Sequence, residues 1–243
     1  FLVSDDLRPE LGCYGNPIIK SPNIDRLAKR GLVFDRAYCQ QAVCSPSRTS
    51  VLTGARPDTT RVWDLKTHFR RNLPDVVTLP QLFKNHGYVT LGLGKIYHGD
   101  AGTHSGLDDR PSWSDLDASR FLPVNNDAVS RNKPGRKSAD VTADADVEKV
   151  DGIPLTRTDR GPAFRATDDP PNGGGEGELA DQAIAALRYL KTNAQPFFLA
   201  VGFHKPHLPF SVPKYYWDLY DPEQIPLAPN RFLPTDAPSY ALP

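Results

Sequence analysis

Apolar positions along this chain fall into two alternating periods, and together they predict an α/β fold. Phe1-Leu2-Val3-Ser4-Asp5-Asp6 reads as the end of a buried strand running into acids. Ser21-Pro22-Asn23-Ile24-Asp25 supplies an N-cap, a proline at the first helical position and an acid in the first turn. Ile24, Leu27 and Ala28 continue as a helical stripe that Gly31 stops. Leu32-Val33-Phe34 predicts a strand, and Ser45-Pro46 opens a helix with Val51 and Leu52 inside and Gly54 at its close. Thr78 caps a third helix through Leu79, Leu82 and Phe83, ended by Gly87. Tyr88 to Leu93 reads as a strand delivering Gly94-Lys95.

Glu178 to Asn193 has strong helical periodicity, and Pro196 to Gly202 is an all-apolar strand of the kind buried on both faces of a parallel sheet. Alternating strands and helices predict a central, mostly parallel sheet flanked by helices. Between about 99 and 177 the pattern gives way to Asp, Pro, Gly, Ser and Arg, and Asn172-Gly173-Gly174-Gly175 reads as a flexible loop. This stretch is expected to be a loop-rich insertion in one catalytic domain covering 1–243.

Composition narrows the function. Lys plus Arg and Asp plus Glu number 29 each, so no bulk field draws the chain to nucleic acid or an anionic membrane. No apolar run reaches the roughly 18 residues of a membrane span. The chain has no methionine, opens inside a strand and ends in a Pro-rich loop, so an N-terminal fragment is expected. Its three cysteines, Cys13, Cys39 and Cys44, form neither an even disulfide set nor a CxxC pair.

In open α/β sheets, ligands bind beyond the carboxyl ends of the strands. Three predicted strand ends here carry reactive side chains: Asp5-Asp6, then Lys95 with His98, then His204-Lys205-Pro206-His207. Adjacent carboxylates suit a hard cation such as calcium or magnesium, or else a solvated loop. His204 and His207 form a loop pair or a candidate zinc pair. Cys44 stands just before a proline-started helix, whose N–H groups favour negative charge, although a buried thiol is the ordinary fate of a lone cysteine. Jointly, a metal site, a nucleophile and a Lys/His set suit transfer of a sulfuryl or phosphoryl group.

Cys44-Ser45-Pro46-Ser47-Arg48, followed by Leu52-Thr53-Gly54, resembles the C-x-P-S-R signature of the formylglycine-dependent sulfatases, in the alkaline-phosphatase-like superfamily. Asp5-Asp6-Leu7-Arg8-Pro9, Gln40-Gln41-Ala42-Val43-Cys44, Arg56-Pro57-Asp58-Thr59-Thr60 and His204-Lys205-Pro206-His207 are similar to the iduronate-2-sulfatase branch.

The resemblance implies that a maturation enzyme converts Cys44 to Cα-formylglycine, which acts as an aldehyde hydrate. It implies calcium held by Asp5, Asp6 and modified Cys44, and a sulfated saccharide, from a glycosaminoglycan or related polysaccharide, as substrate. Arg48 would neutralise charge around the modified residue and Lys95 would hold sulfate oxygens. His98 would assist deprotonation of the hydrate, and His204 would protonate the leaving oxygen. An exported or lysosomal location is implied too. The remaining calcium ligands and a second sulfate-binding lysine are expected beyond residue 243, since Asp236 is followed by Ala237. The chain alone is therefore expected to be inactive. Alternatives are a phosphate or phosphonate monoester hydrolase of the same superfamily, or a non-catalytic sugar-binding relative.

Overall fold

The computed structural model describes residues 1–99, 106–116 and 164–227, together with 230, 232 and 236. Its central sheet has three strands, β1 (Leu2–Asp5), β2 (Val89–Gly94) and β4 (Phe197–Pro206), in the order β1-β4-β2. Both pairings are parallel, with Leu2 opposite Val201 and Leu91 opposite Leu199. A second, two-stranded parallel sheet joins β3 (Phe164–Thr167) to β5 (Phe210–Pro213).

Alternation along β2 and β4 explains why apolar runs were needed. Leu91, Leu93, Leu199 and Val201 face α5 (Gly174–Thr192), packing against its Leu179, Ala183, Ala186 and Leu190. Ala200 and Phe198 point to the other side, into a core built on Leu52, Val62, Phe69, Ile96, Tyr97 and Trp113. A sheet covered on both faces must be apolar on both, which is the pattern read along Pro196 to Gly202.

The helices α1 (Pro22–Ala28), α2 (Cys44–Thr53), α3 (Pro57–Thr60), α4 (Leu79–Asn85) and α6 (Lys214–Trp217) complete the described architecture. The Thr78 cap becomes a full capping box: its side chain accepts from the Gln81 N–H, and the Gln81 side chain returns to the Thr78 N–H. Gly54 ends α2 in the left-handed conformation, as its position after Thr53 predicts.

Several expectations are corrected. Leu32 to Phe34 is not a strand: Leu32 and Phe34 are exposed, and no described strand lies beside them to complete a hydrogen-bond ladder. The α1 stripe does not enter a core either, for Ile24 and Leu27 are exposed. Val51 is exposed while its neighbour Leu52 is buried. α5 begins inside the predicted glycine loop, at Gly174 rather than Glu178. There the carbonyl of Asn172 would lie 2.2 Å from a Cβ on Gly177, so glycine is what lets the preceding turn fold onto the helix. β4 runs on to Pro206 because β1 continues to pair with it as far as Asp5.

Within the predicted insertion at 99–177, residues 100–105 and 117–163 lie outside the described residues. The described piece 106–116 is partly core: Asp109, Ser112 and Trp113 are buried. Asp109 accepts a two-point contact from Arg70, Nε to Oδ1 at 2.5 Å and Nη2 to Oδ2 at 2.9 Å. Ser112 Oγ, 2.8 Å from the buried Tyr97 hydroxyl, donates to Asp109 at 2.6 Å. This network ties the segment carrying Lys95 and His98 to the loop before α4.

Candidate active site

Asp5, the last residue of β1, has a buried carboxylate clamped between two cations. Arg48 Nη2 donates to Oδ1 at 2.6 Å and Lys95 Nζ to Oδ2 at 2.5 Å. Burial alone pushes the Asp5 carboxyl up, and the hydrogen bonds and charges of Arg48 and Lys95 together outweigh it, so the group sits below the ordinary carboxylate range.

Local backbone geometry makes this meeting possible. The register slips between Ser4 and Asp5 as β1 leaves the ladder, and Asp6 follows with φ +59°, a left-handed conformation that Asp tolerates better than most residues. The turn sends successive carboxylates in different directions: Asp5 inward to Arg48, and Asp6 outward, with Oδ2 3.8 Å from His207 Nε2. At the end of β2, Lys95 N–H donates to Gly202 O at 2.8 Å. A Cβ on Gly202 would stand 1.9 Å from the Lys95 carbonyl oxygen, so β4 needs glycine where β2 turns into the site.

Arg48 is committed to the protein. Its Nη1 donates to the carbonyls of Lys95, at 2.6 Å, and Ile96, at 3.1 Å, besides the Nη2 contact with Asp5. One guanidinium thus joins α2, the end of β1 and the turn after β2. The sequence placed Arg48 beside the modified cysteine as a charge neutraliser; the structure makes it the tie that holds Asp5 and Lys95 together.

Cys44 is the first residue of α2 rather than a residue before it, with Val43 as N-cap. The half-buried thiol lies 3.8 Å from Asp5 Oδ2. Donor atoms of Asp5, Cys44 and His207 all fall within 4.8 Å of one another. His207 therefore reaches the site, although it is not among the site residues expected from the sequence. Its sequence signals were membership of the strand-end run His204 to His207 and the likeness of that run to the iduronate-2-sulfatase branch.

His98 is half-buried, and among the described residues its buried Nδ1 meets no hydrogen-bond partner. Burial first, and then the positive charges of Lys95 and Arg48, lower its pKa below the ordinary imidazole value. Both effects favour the neutral ring over the imidazolium. His204, near the end of β4, meets Glu176 of α5: its N–H donates to Oε2 at 3.1 Å, and its Nδ1 is 3.6 Å from Oε1.

The Sulfatase family model matches residues 1–230. The chain belongs to the sulfatase family. It is 41% identical to the iduronate 2-sulfatase of Homo sapiens and 40% identical to that of Mus musculus, each over 99% of this chain and 40% of the relative. It therefore spans about two fifths of the length of these relatives. Among solved structures it is similar to a phosphonate monoester hydrolase of Agrobacterium radiobacter, with TM-score 0.61 and 25% identity, covering 93% of this chain and 44% of that one. The parallel sheet with helices on both faces is the α/β arrangement predicted from the strand and helix periods.

Calcium takes six to eight hard oxygen ligands. Asp5 is the carboxylate of the group it forms with Cys44 and His207, Asp6 lies outside that group with its carboxylate beside His207, and a thiol at position 44 is a soft donor. An oxygen-bearing group at position 44 would suit a hard cation better than the thiol does. No described helix is long and apolar enough to cross a membrane.

Proposed function

We propose that this chain carries the nucleophile-bearing part of a sulfuric ester hydrolase that removes sulfate from a sulfated sugar. The observation that carries the reading is Cys44 in the first turn of α2, 3.8 Å from a carboxylate already bound by Arg48 and Lys95, within a Sulfatase match over 1–230. A sulfated uronic acid of a glycosaminoglycan is the substrate class, supported by 41% identity across 99% of this chain to the human iduronate 2-sulfatase.

Position 44 is read as Cα-formylglycine made by a maturation enzyme, whose hydrate supplies one hydroxyl to attack sulfur and a second whose deprotonation releases sulfate and restores the aldehyde. Calcium would be held by Asp5, Asp6 and position 44, supplying positive charge against a sulfate oxygen. Lys95 lies beside the same carboxylate and orients a sulfate oxygen through its ammonium. Arg48 keeps Asp5 ionised and fixes the Lys95 carbonyl, so the cation and the carboxylate keep their spacing through turnover. His98, whose neutral form its surroundings favour, accepts the proton from the attacking hydroxyl. His204 delivers a proton to the sugar oxygen as the S–O bond breaks. An exported or lysosomal setting belongs to this reading.

The likeness to a phosphonate monoester hydrolase supports a second reading, a phosphoryl or phosphonyl ester hydrolase built on the same site. Parallel assays of this chain joined to the C-terminal portion it is expected to need, matured in a host that makes formylglycine, distinguish the two. A sulfated uronic-acid disaccharide and an aryl sulfate are expected to turn over, with aryl phosphate and phosphonate monoesters far slower. Mass spectrometry of the tryptic peptide Ala37–Arg48 is expected to show an aldehyde in place of the thiol. An unmodified cysteine in that host, or a preference for the phosphorus esters, overturns the proposal.

A further inference from the structure

Glu176 meets two parts of one residue. The main-chain N–H of His204 donates to Oε2 at 3.1 Å and Oε1 at 3.3 Å, while the ring Nδ1 stands 3.6 Å from Oε1, in ion-pair range. A carboxylate that binds both the backbone and the ring side of a histidine restricts where that ring can go.

The carboxylate is itself well anchored. Glu176 lies in the first turn of the 19-residue α5, where the helix N-terminus favours negative charge. α5 is the helix whose Leu179, Ala183, Ala186 and Leu190 pack on Leu199 and Val201 of β4. The absent side chain at Gly177 lets the Asn172 backbone close over that turn. Helix and strand are thus locked together, and the Glu176–His204 contact joins the locked helix to the strand end that reaches the site.

We infer that Glu176 is the positioning residue for His204, a role that rests on the reading of His204 as the proton donor to the leaving oxygen. A carboxylate facing Nδ1 favours a proton on that nitrogen, in the neutral ring and in the imidazolium alike. Nε2 is then the nitrogen that gives its proton to the sugar oxygen, and the geometry tightens when substrate is bound. Glu176 touches neither substrate nor sulfur; it acts through His204.

Leaving-group dependence tests the role, because an aryl sulfate departs as a stable phenolate and an alkyl sugar oxygen does not. The chain joined to its C-terminal portion and matured is assayed as wild type, Glu176→Gln, Glu176→Asp, His204→Ala and the Glu176→Gln/His204→Ala double variant, with Tm measured for each. Glu176→Gln is expected to lower kcat on the sulfated sugar about tenfold, a fraction of the range for a general acid, and to leave aryl sulfate within about twofold. Glu176→Asp, which keeps the charge on a shorter arm, is expected to fall between Gln and wild type. The double variant is expected to be no slower than His204→Ala.

Equal losses of Glu176→Gln on both substrates, or a further loss in the double variant, overturn the positioning role. If His204→Ala itself loses no more on the sugar than on the aryl sulfate, the proton-donor reading of His204 fails, and the positioning role falls with it. Those patterns are different, so the two failures are distinguishable.

Discussion

Arg48 Nη2 lies 2.6 Å from Asp5 Oδ1, and less than a tenth of either side chain is exposed to solvent. Lys95 takes the other carboxylate oxygen, so one negative charge faces two positive ones in a shielded space. Asp5→Asn keeps the shape and removes the charge, leaving Arg48 and Lys95 uncompensated against each other. Breaking a buried pair by deleting one partner costs about 3–5 kcal/mol. Urea unfolding of the variant is expected to show a loss of that order, together with loss of turnover. An unchanged denaturation midpoint would show that the clamp does not hold the fold.

Asp6 should behave in the opposite way. Its carboxylate is more than half exposed, so little of the fold depends on its charge. Asn tolerates the left-handed backbone at φ +59°, so Asp6→Asn removes the charge without adding strain. Stability without metal is expected to stay within about 0.5 kcal/mol of wild type. A ligand that binds only the folded state raises Tm by mass action, so calcium should raise the Tm of the matured wild type over an EGTA control. In Asp6→Asn that rise is expected to shrink or vanish. A calcium shift equal to wild type would remove Asp6 from the ligand set.

His98 gives a pH dependence with a definite sign. Its folded pKa lies below its ordinary value, chiefly through burial and then through Lys95 and Arg48. Between the folded and unfolded values the unfolded chain binds more protons, so stability rises with pH there. The contribution is complete above the unfolded imidazole value of about 6.5 and is lost as pH falls below it. Urea midpoints measured from pH 5 to 7.5 are expected to climb less steeply for His98→Gln than for wild type. Parallel profiles would mean that His98 titrates alike in both states.

Much of this architecture was legible because it rests on local rules. The Thr78 capping box, the Gly54 stop and the apolar run of β4 each follow from a few neighbouring residues. Where the reading failed, the deciding contact was distant or missing. Leu32 to Phe34 has strand-forming residues but no described ladder partner, and the α1 stripe has no described surface to cover it. Cys44, Asp5, Lys95 and Arg48 were each visible in sequence, but the commitment of Arg48 to the carbonyls of Lys95 and Ile96 was not. A backbone carbonyl leaves no mark in a residue pattern. Glu176 was equally hidden, as an ordinary acid in a first helical turn whose partner lies 28 residues away.

Glycines at the end of the sheet provide the last prediction. Gly94 has φ +67°, and a Cβ there would stand 2.3 Å from the Gly202 carbonyl oxygen. A Cβ on Gly202 would stand 1.9 Å from the Lys95 carbonyl oxygen, the same oxygen that accepts from Arg48 at 2.6 Å. Gly202→Ala must therefore push β2 and β4 apart where Lys95 enters the site, and overpacking of this kind costs about 1–3 kcal/mol. Turnover should fall by more than the lost stability accounts for, because Lys95 and Arg48 move with the displaced carbonyl. Gly175→Ala is the control: it lies in α5 without a positive φ and with open space around it. There alanine is expected to raise stability by up to about 1 kcal/mol and leave turnover unchanged. Tm and kcat measured on both variants decide the matter. A Gly202→Ala protein with wild-type kcat would show that the close approach of the two strands does not set the position of Lys95.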